Sequence, residues 1–216
     1  MINLLGTYAA TLPTRDLTSY YDRLIPLRPE WIWVYLLCYI YPFIPLAVVR
    51  DWHRVNKGIL GFIIANLIAF VFYLALPLAF QKPELGGGVS ERLLQFVYDV
   101  DFNPGANKLP SLHVTHAWII YLVCRGQRSM KWLDPLLFLV ASAITASTVL
   151  VRQHIILDVV AGIVLVALVW LLAGRLYPIL TQGDSNPRTA VRRMLQKLAL
   201  PLLVYGGIII AIIVLR

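Results

Sequence analysis

Six apolar runs dominate the 216-residue chain, and most reach or exceed the roughly 18 to 20 residues a helix needs to cross a hydrocarbon layer about 30 Å thick. The predicted spans are Trp31–Val49, Gly58–Phe80, Ser111–Cys124, Leu133–Val151, Leu157–Tyr177 and Leu198–Leu215. The chain therefore reads as all-α, a polytopic membrane bundle of about six transmembrane helices. No run repeats another, which favours one membrane domain over an array. The third run is short by apolar count, but a helix that begins at a water-facing site need not be apolar in its first turns. It is expected to extend toward the basic loop Arg125–Lys131.

Between the spans the sequence is uneven. Leu17, Tyr20, Tyr21, Leu24 and Ile25 recur near helical spacing among Arg15, Asp16, Asp22 and Arg23, predicting a short interfacial helix. Pro42 and Pro45 predict a kink in the first span. Gly86, Gly87 and Gly88 open the one long connection, Gln81–Pro110, which reads as a loop.

The formal net charge of +8 comes from basic residues scattered through short segments between apolar runs, a pattern that suits anionic headgroups rather than nucleic acid. With six spans, Arg50–Lys57, Arg125–Lys131 and the stretch from Arg175 to Lys197 share one side and carry eleven Lys and Arg. The other side carries eight over many more residues. The positive-inside rule puts the denser set in the cytoplasm and Gln81–Pro110 on the exoplasmic side. Cys38 and Cys124 lie inside apolar stretches without ligand spacing, and read as core residues rather than as a disulfide or zinc pair. The first thirty residues lack the charged start, apolar core and small-residue cleavage site of a signal peptide.

Two polar clusters interrupt this apolar background, both on the predicted exoplasmic side and each where a helix begins. Polar groups at such positions are costly and usually functional. In Arg152-Gln153-His154-Ile155-Ile156-Leu157-Asp158, four-residue spacing puts His154 and Asp158 on one helix face. The carboxylate there can fix the imidazole tautomer and leave the second ring nitrogen free to attack. A plain helix-surface pair would have the same spacing. In Leu109-Pro110-Ser111-Leu112-His113, the proline suits a first helical turn, and the exposed N–H groups after it, with the Ser111 hydroxyl, form an anion site. A capped helix with a histidine packed behind it is the plainer reading.

Taken together, these residues resemble the type 2 phosphatidic acid phosphatase superfamily, whose three-part pattern is KxxxxxxRP, PSGH and SRxxxxxHxxxD. Pro110-Ser111-Leu112-His113 corresponds to the second part, and His154 through Asp158, followed by Val159-Val160-Ala161-Gly162, to the end of the third. Lys82-Pro83 stands where the pattern has Arg-Pro, and Ala75 takes the place of its first lysine. The arginine six before the last histidine would fall at Thr148, leaving Arg152 as the substitute donor. Leu112 in place of glycine is similar to a branch holding both phosphatases and sphingolipid-type phosphotransferases. The lead-in from Tyr98 to Leu109, with Asp101, Asn103, Pro104 and Asn107, looks like the same branch.

The resemblance implies His154 as nucleophile, Asp158 as its charge partner and His113 as general acid and base, with Lys82, Ser111 and Arg152 binding phosphate. It implies a lipid phosphate or diphosphate as substrate, a phosphohistidine intermediate, and no metal or other cofactor. Water as acceptor would make the protein a phosphatase, and an alcohol would make it a phosphotransferase. It also divides the chain into the interfacial segment 1–30, a catalytic core 31–177, and a basic segment with the final helix, 178–216. The bacterial inner membrane, with the site on its periplasmic face, is the expected location. Lys108 reads as an interfacial lysine, His116 as a residue behind the site and His53 as part of a cytoplasmic loop; the tyrosines Tyr20, Tyr21, Tyr35, Tyr39 and Tyr41 read as anchors at headgroup depth. Two other readings remain: a transporter or scaffold, and a two-His-one-carboxylate metal site.

Overall fold

The computed structural model describes residues 8, 11–100, 107–126 and 132–214. Its elements in chain order are α1 (Tyr20–Leu24), α2 (Pro29–Val48), α3 (Trp52–Ala75), α4 (Val89–Val100), α5 (Leu112–Cys124), α6 (Leu133–Leu150), α7 (Ile156–Thr181) and α8 (Pro187–Val214). Five of these, α2, α3, α6, α7 and α8, are long and apolar enough to cross a membrane, and α5 is a shorter apolar helix. The chain is an integral membrane protein built as an all-α bundle.

Several boundaries differ from the sequence reading, each for a local reason. Helix α3 starts six residues before Gly58 because the Asp51 side chain caps it, accepting from the His53 amide at 3.0 Å. It ends at Ala75, not Phe80, because Pro77 bars the preceding residue from helical backbone. Helix α8 begins at Pro187, with the Asn186 side chain accepting from the Arg188 amide at 3.0 Å. The basic stretch Arg188–Lys197 is thus helical, not a loop before Leu198. Helix α5 ends at Cys124, where the predicted span ends and the basic loop begins; residues 127–131 lie outside the described set. The expected break in α2 is present: the segment alternates short α and 3-10 pieces, with Pro42 inside the piece Tyr41–Phe43 and Pro45 inside Ile44–Val48.

The long connection is not simply a loop. It contains α4, whose Leu94, Val97 and Tyr98 form an apolar stripe buried against Ile32, Tyr35 and Val151. The three glycines before it hid this periodicity.

Helix α5 lies at the centre, packed against α3, α6 and α7. Most of its 13 residues are buried among these neighbours. Small residues permit the close approach. A Cβ at Gly162 in α7 would stand 2.9 Å from the Ser111 carbonyl oxygen, and the Thr115 hydroxyl donates to that oxygen at 2.8 Å and to the Gly162 carbonyl at 3.2 Å. The core between these helices is aliphatic, with Ala65, Ala69, Ile119, Ala141, Ile144 and Val169 fully enclosed. At the α5 C-terminus, Arg54 donates to the Leu122 carbonyl at 2.9 Å. At the other end, the α5 and α7 N-termini lie side by side, tied by the Ser111 amide donating to the Asp158 carbonyl at 3.1 Å.

Candidate active site

The turn that leads into α7 is built to present one imidazole. The amides of Gln153 and His154 both donate to the Thr148 carbonyl, at 2.9 and 3.0 Å, so the residue standing in for the expected arginine contributes backbone instead. Arg152 takes left-handed backbone, φ 53°, which costs a non-glycine residue energy and needs outside support. Its guanidinium supplies some, donating to the Asp22 and Ile25 carbonyls at 2.7 and 2.5 Å. Lys82 adds more, its ammonium donating to the Arg152 carbonyl at 3.1 Å and to Gln153 Oε1 at 2.8 Å. Both predicted cations therefore gather at this turn.

Asp22 completes the support from the N-terminal side. Its carboxylate caps α1 by accepting from the Ser19 amide and hydroxyl, and its second oxygen accepts from the Ile156 amide, the first of α7, at 2.7 Å. Burial alone would raise this carboxyl, but the Ile156 and Ser19 hydrogen bonds and the Arg152 charge outweigh it and hold it below the ordinary carboxylate value of 3.8. A depressed folded value means the stabilisation is present above 3.8 and is lost as pH falls through the lower, folded value. Asp22→Ala should thus lower stability near neutral pH by about 1–2 kcal/mol, and the gap from the parent should shrink as the solution is acidified below that range. Thermal unfolding in detergent across pH measures it; a gap that stays constant would remove Asp22 from this role.

The predicted catalytic residues meet in a line. His154 Nδ1 lies 3.1 Å from Asp158 Oδ2, which also accepts from the Ile155 amide at 3.1 Å. His154 Nε2 faces His113 Nδ1 at 3.2 Å, and His113 Nε2 faces the Tyr35 hydroxyl at 2.9 Å. Asp158 is fully buried, and its other carboxylate oxygen has no hydrogen-bond partner among the described residues. Because each nitrogen points at a neighbour along the line, the three side chains do not converge on a shared point. Among the described residues, no group of three or more His, Cys, Asp or Glu is placed to hold a metal ion.

Ser111 caps α5, its side chain accepting from the Val114 amide at 3.4 Å, which puts its hydroxyl beside the first amides of the helix. A cavity of about 760 Å³ opens from His113 and His154 between α2 and α4. Tyr39, Phe43, Leu93 and Phe96 give it apolar walls, and Asn107, Lys108 and the histidines His113, His116 and His154 are polar residues of its lining.

Three residues of this site were not assigned to it in the sequence. Lys108 is buried and lines the cavity rather than standing exposed at the interface; its position just before the Pro-Ser-x-His run was the available signal. Tyr35 was grouped with anchor tyrosines, and Asp22 with the charges of a surface helix. His116 lines the cavity but turns Nε2 toward Asn66 Nδ2 at 3.2 Å, its ring stacked on Phe62. His53 lies toward the opposite end of the bundle, between the Tyr177 hydroxyl and the Ser185 carbonyl, both at 2.9 Å. Asp101, Asn103 and Pro104 lie outside the described residues.

Comparison with known families gives one result: a model of the PAP2 superfamily matches residues 30–172. Comparison with curated proteins and with solved structures returns no match. The matched stretch holds Lys82, Ser111, His113, Arg152, His154 and Asp158, and leaves Asp22 outside it.

Proposed function

Because the chain belongs to the PAP2 superfamily, whose members act on phosphate-containing substrates, we propose that it is a membrane phosphatase for a lipid phosphate or diphosphate. The observation that supports this reading best is the Asp158–His154–His113 line opening onto an apolar cavity. In the proposed reaction His154 Nε2 attacks phosphorus, forming a P–N bond as the ester P–O bond breaks. The leaving oxygen takes a proton from His113 Nδ1. Asp158 offsets the positive charge that the His154 ring gains on bonding to phosphorus. A water then gives a proton back to His113 and attacks the phosphohistidine, releasing phosphate and restoring His154.

Phosphoryl transfer is chiefly a matter of aligning the groups and neutralising the equatorial oxygens. We assign that work to the Ser111 hydroxyl, the first amides of α5 and the cations Lys82 and Lys108. Arg152 contributes its charge while two of its N–H groups hold the N-terminal segment. The hydrocarbon part of the substrate lies along the cavity walls supplied by α2 and α4. Phosphate release from a panel comprising phosphatidic acid, phosphatidylglycerol phosphate, undecaprenyl diphosphate and lipid A tests the proposal. Release from none of them, or formation of a new phosphodiester without free phosphate, would overturn hydrolysis.

The charge asymmetry supports an exoplasmic site, which in a bacterial inner membrane would face the periplasm. A Gly88→Cys variant, with Cys38 and Cys124 replaced by serine, is expected to react with an impermeant maleimide in intact cells. Reaction only after lysis reverses the orientation.

A further inference from the structure

We propose that Tyr35 is a positioning residue of the reaction, holding His113 so that its Nδ1 faces the reacting phosphate throughout the cycle; the proposal rests on the phosphatase reading above. The argument begins with protons. Two imidazole nitrogens that face each other at 3.2 Å, as His113 Nδ1 and His154 Nε2 do, need one proton between them. His154 carries its own proton on Nδ1, toward the Asp158 carboxylate, so in the neutral pair Nε2 is bare and the shared proton belongs to His113 Nδ1. His113 Nε2 is then bare as well, and the Tyr35 hydroxyl at 2.9 Å donates to it. Each imidazole nitrogen of the line then has a matched partner, and His154 Nε2 keeps its lone pair, here accepting from His113 Nδ1–H.

A tyrosine suits the remaining states because its hydroxyl also accepts. When His113 takes a second proton, from a singly protonated substrate phosphate or from solvent, Nε2–H donates to Tyr35 and Nδ1–H faces the leaving oxygen. After Nδ1 has given up its proton, Nε2–H still donates to Tyr35, and the bare Nδ1 is ready to take a proton from water. The ring need not turn between steps. Tyr35 can hold this aim because it is buried, 1% exposed, on α2, where Leu94 and Val97 of α4 are among its packing neighbours. The tilted contact between its ring and that of His113, 5.0 Å between centroids, restricts both.

Tyr35→Phe keeps the packing and removes only the hydroxyl, and Tyr35→Leu controls for the ring. With a purified variant in nanodiscs, turnover is compared for an alkyl phosphate, whose leaving oxygen needs a proton, and for p-nitrophenyl phosphate, which hardly does. The expected loss for Tyr35→Phe is about tenfold to a hundredfold on the alkyl ester, the range for losing a group that orients a working imidazole, with KM little changed and a smaller loss on the aryl ester. Nitrogen-15 spectra of the histidine rings without substrate should show His113 changing its protonation pattern in Tyr35→Phe. Equal losses on the two esters, or an unchanged His113 ring signal, would overturn the proposal. If the parent protein cleaves neither ester, the phosphatase reading fails, and the ring spectra alone decide whether Tyr35 fixes the tautomer.

Discussion

His154→Asn is expected to abolish turnover, by roughly the 10⁶-fold that follows removal of an activated nucleophile, and to leave no acid-labile phosphate on the protein. The substitution removes the only atom in the line that has both a lone pair and a carboxylate behind it. Asp158 Oδ2 accepts from His154 Nδ1 at 3.1 Å, and an asparagine side chain supplies no nucleophilic nitrogen in its place. The fold should tolerate the change, because the turn is held by the Thr148 carbonyl, Lys82 and Arg152 rather than by the imidazole. The check is a rapid acid quench with phosphorus-labelled substrate, followed by counting protein-bound label. Label retained by the variant would move the nucleophile elsewhere, with His113 as the first alternative.

His113→Asn should behave differently. Losing a general acid and base commonly costs about 10² to 10⁴ in rate, but an aryl phosphate needs little help to leave. The first step should therefore be partly rescued on such a substrate, while hydrolysis of the phosphohistidine still lacks its base. Label should accumulate on His154 in this variant and reach a higher level than in the parent protein. Absence of label from His113→Asn together with its presence on His154→Asn would exchange the two roles. Loss of the parent's activity on adding a chelator would replace the mechanism with a metal-assisted one.

The membrane class, the helix order and the pairing of the two clusters were legible because each is a local pattern. Apolar length marks a span, and a four-residue spacing marks a shared helix face. The helix boundaries departed where caps and starts, not apolar length, set them. Trp52 to Lys57 is helical because Asp51 caps it, and Arg188 to Lys197 because Pro187 begins a helix; neither effect shows in apolar content. In the site, Lys82, Ser111, His113, His154 and Asp158 stood out by motif, whereas Tyr35 comes from a helix 78 positions away from His113 and carries no spacing signal. Asp22 reaches Ile156 across 134 positions, a contact that one sequence cannot disclose.

The N-terminal clamp separates two boundaries that are often assumed to coincide. Residues 22 to 28 make four hydrogen bonds to the segment from Leu150 to Ile156: Arg152 to the Asp22 and Ile25 carbonyls, Ile156 to the Asp22 carboxylate, and the Arg28 amide to the Leu150 carbonyl. The family match starts at residue 30, so a shortened version cut to that match would retain every motif residue while stripping the left-handed Arg152 of its guanidinium partners. For anyone trimming or fusing this protein, the stretch that the family match covers is shorter than the unit whose hydrogen bonds hold the turn before the proposed nucleophile. A reporter domain is better joined beyond α8, since none of the described partners of the turn at Arg152 lies in that helix.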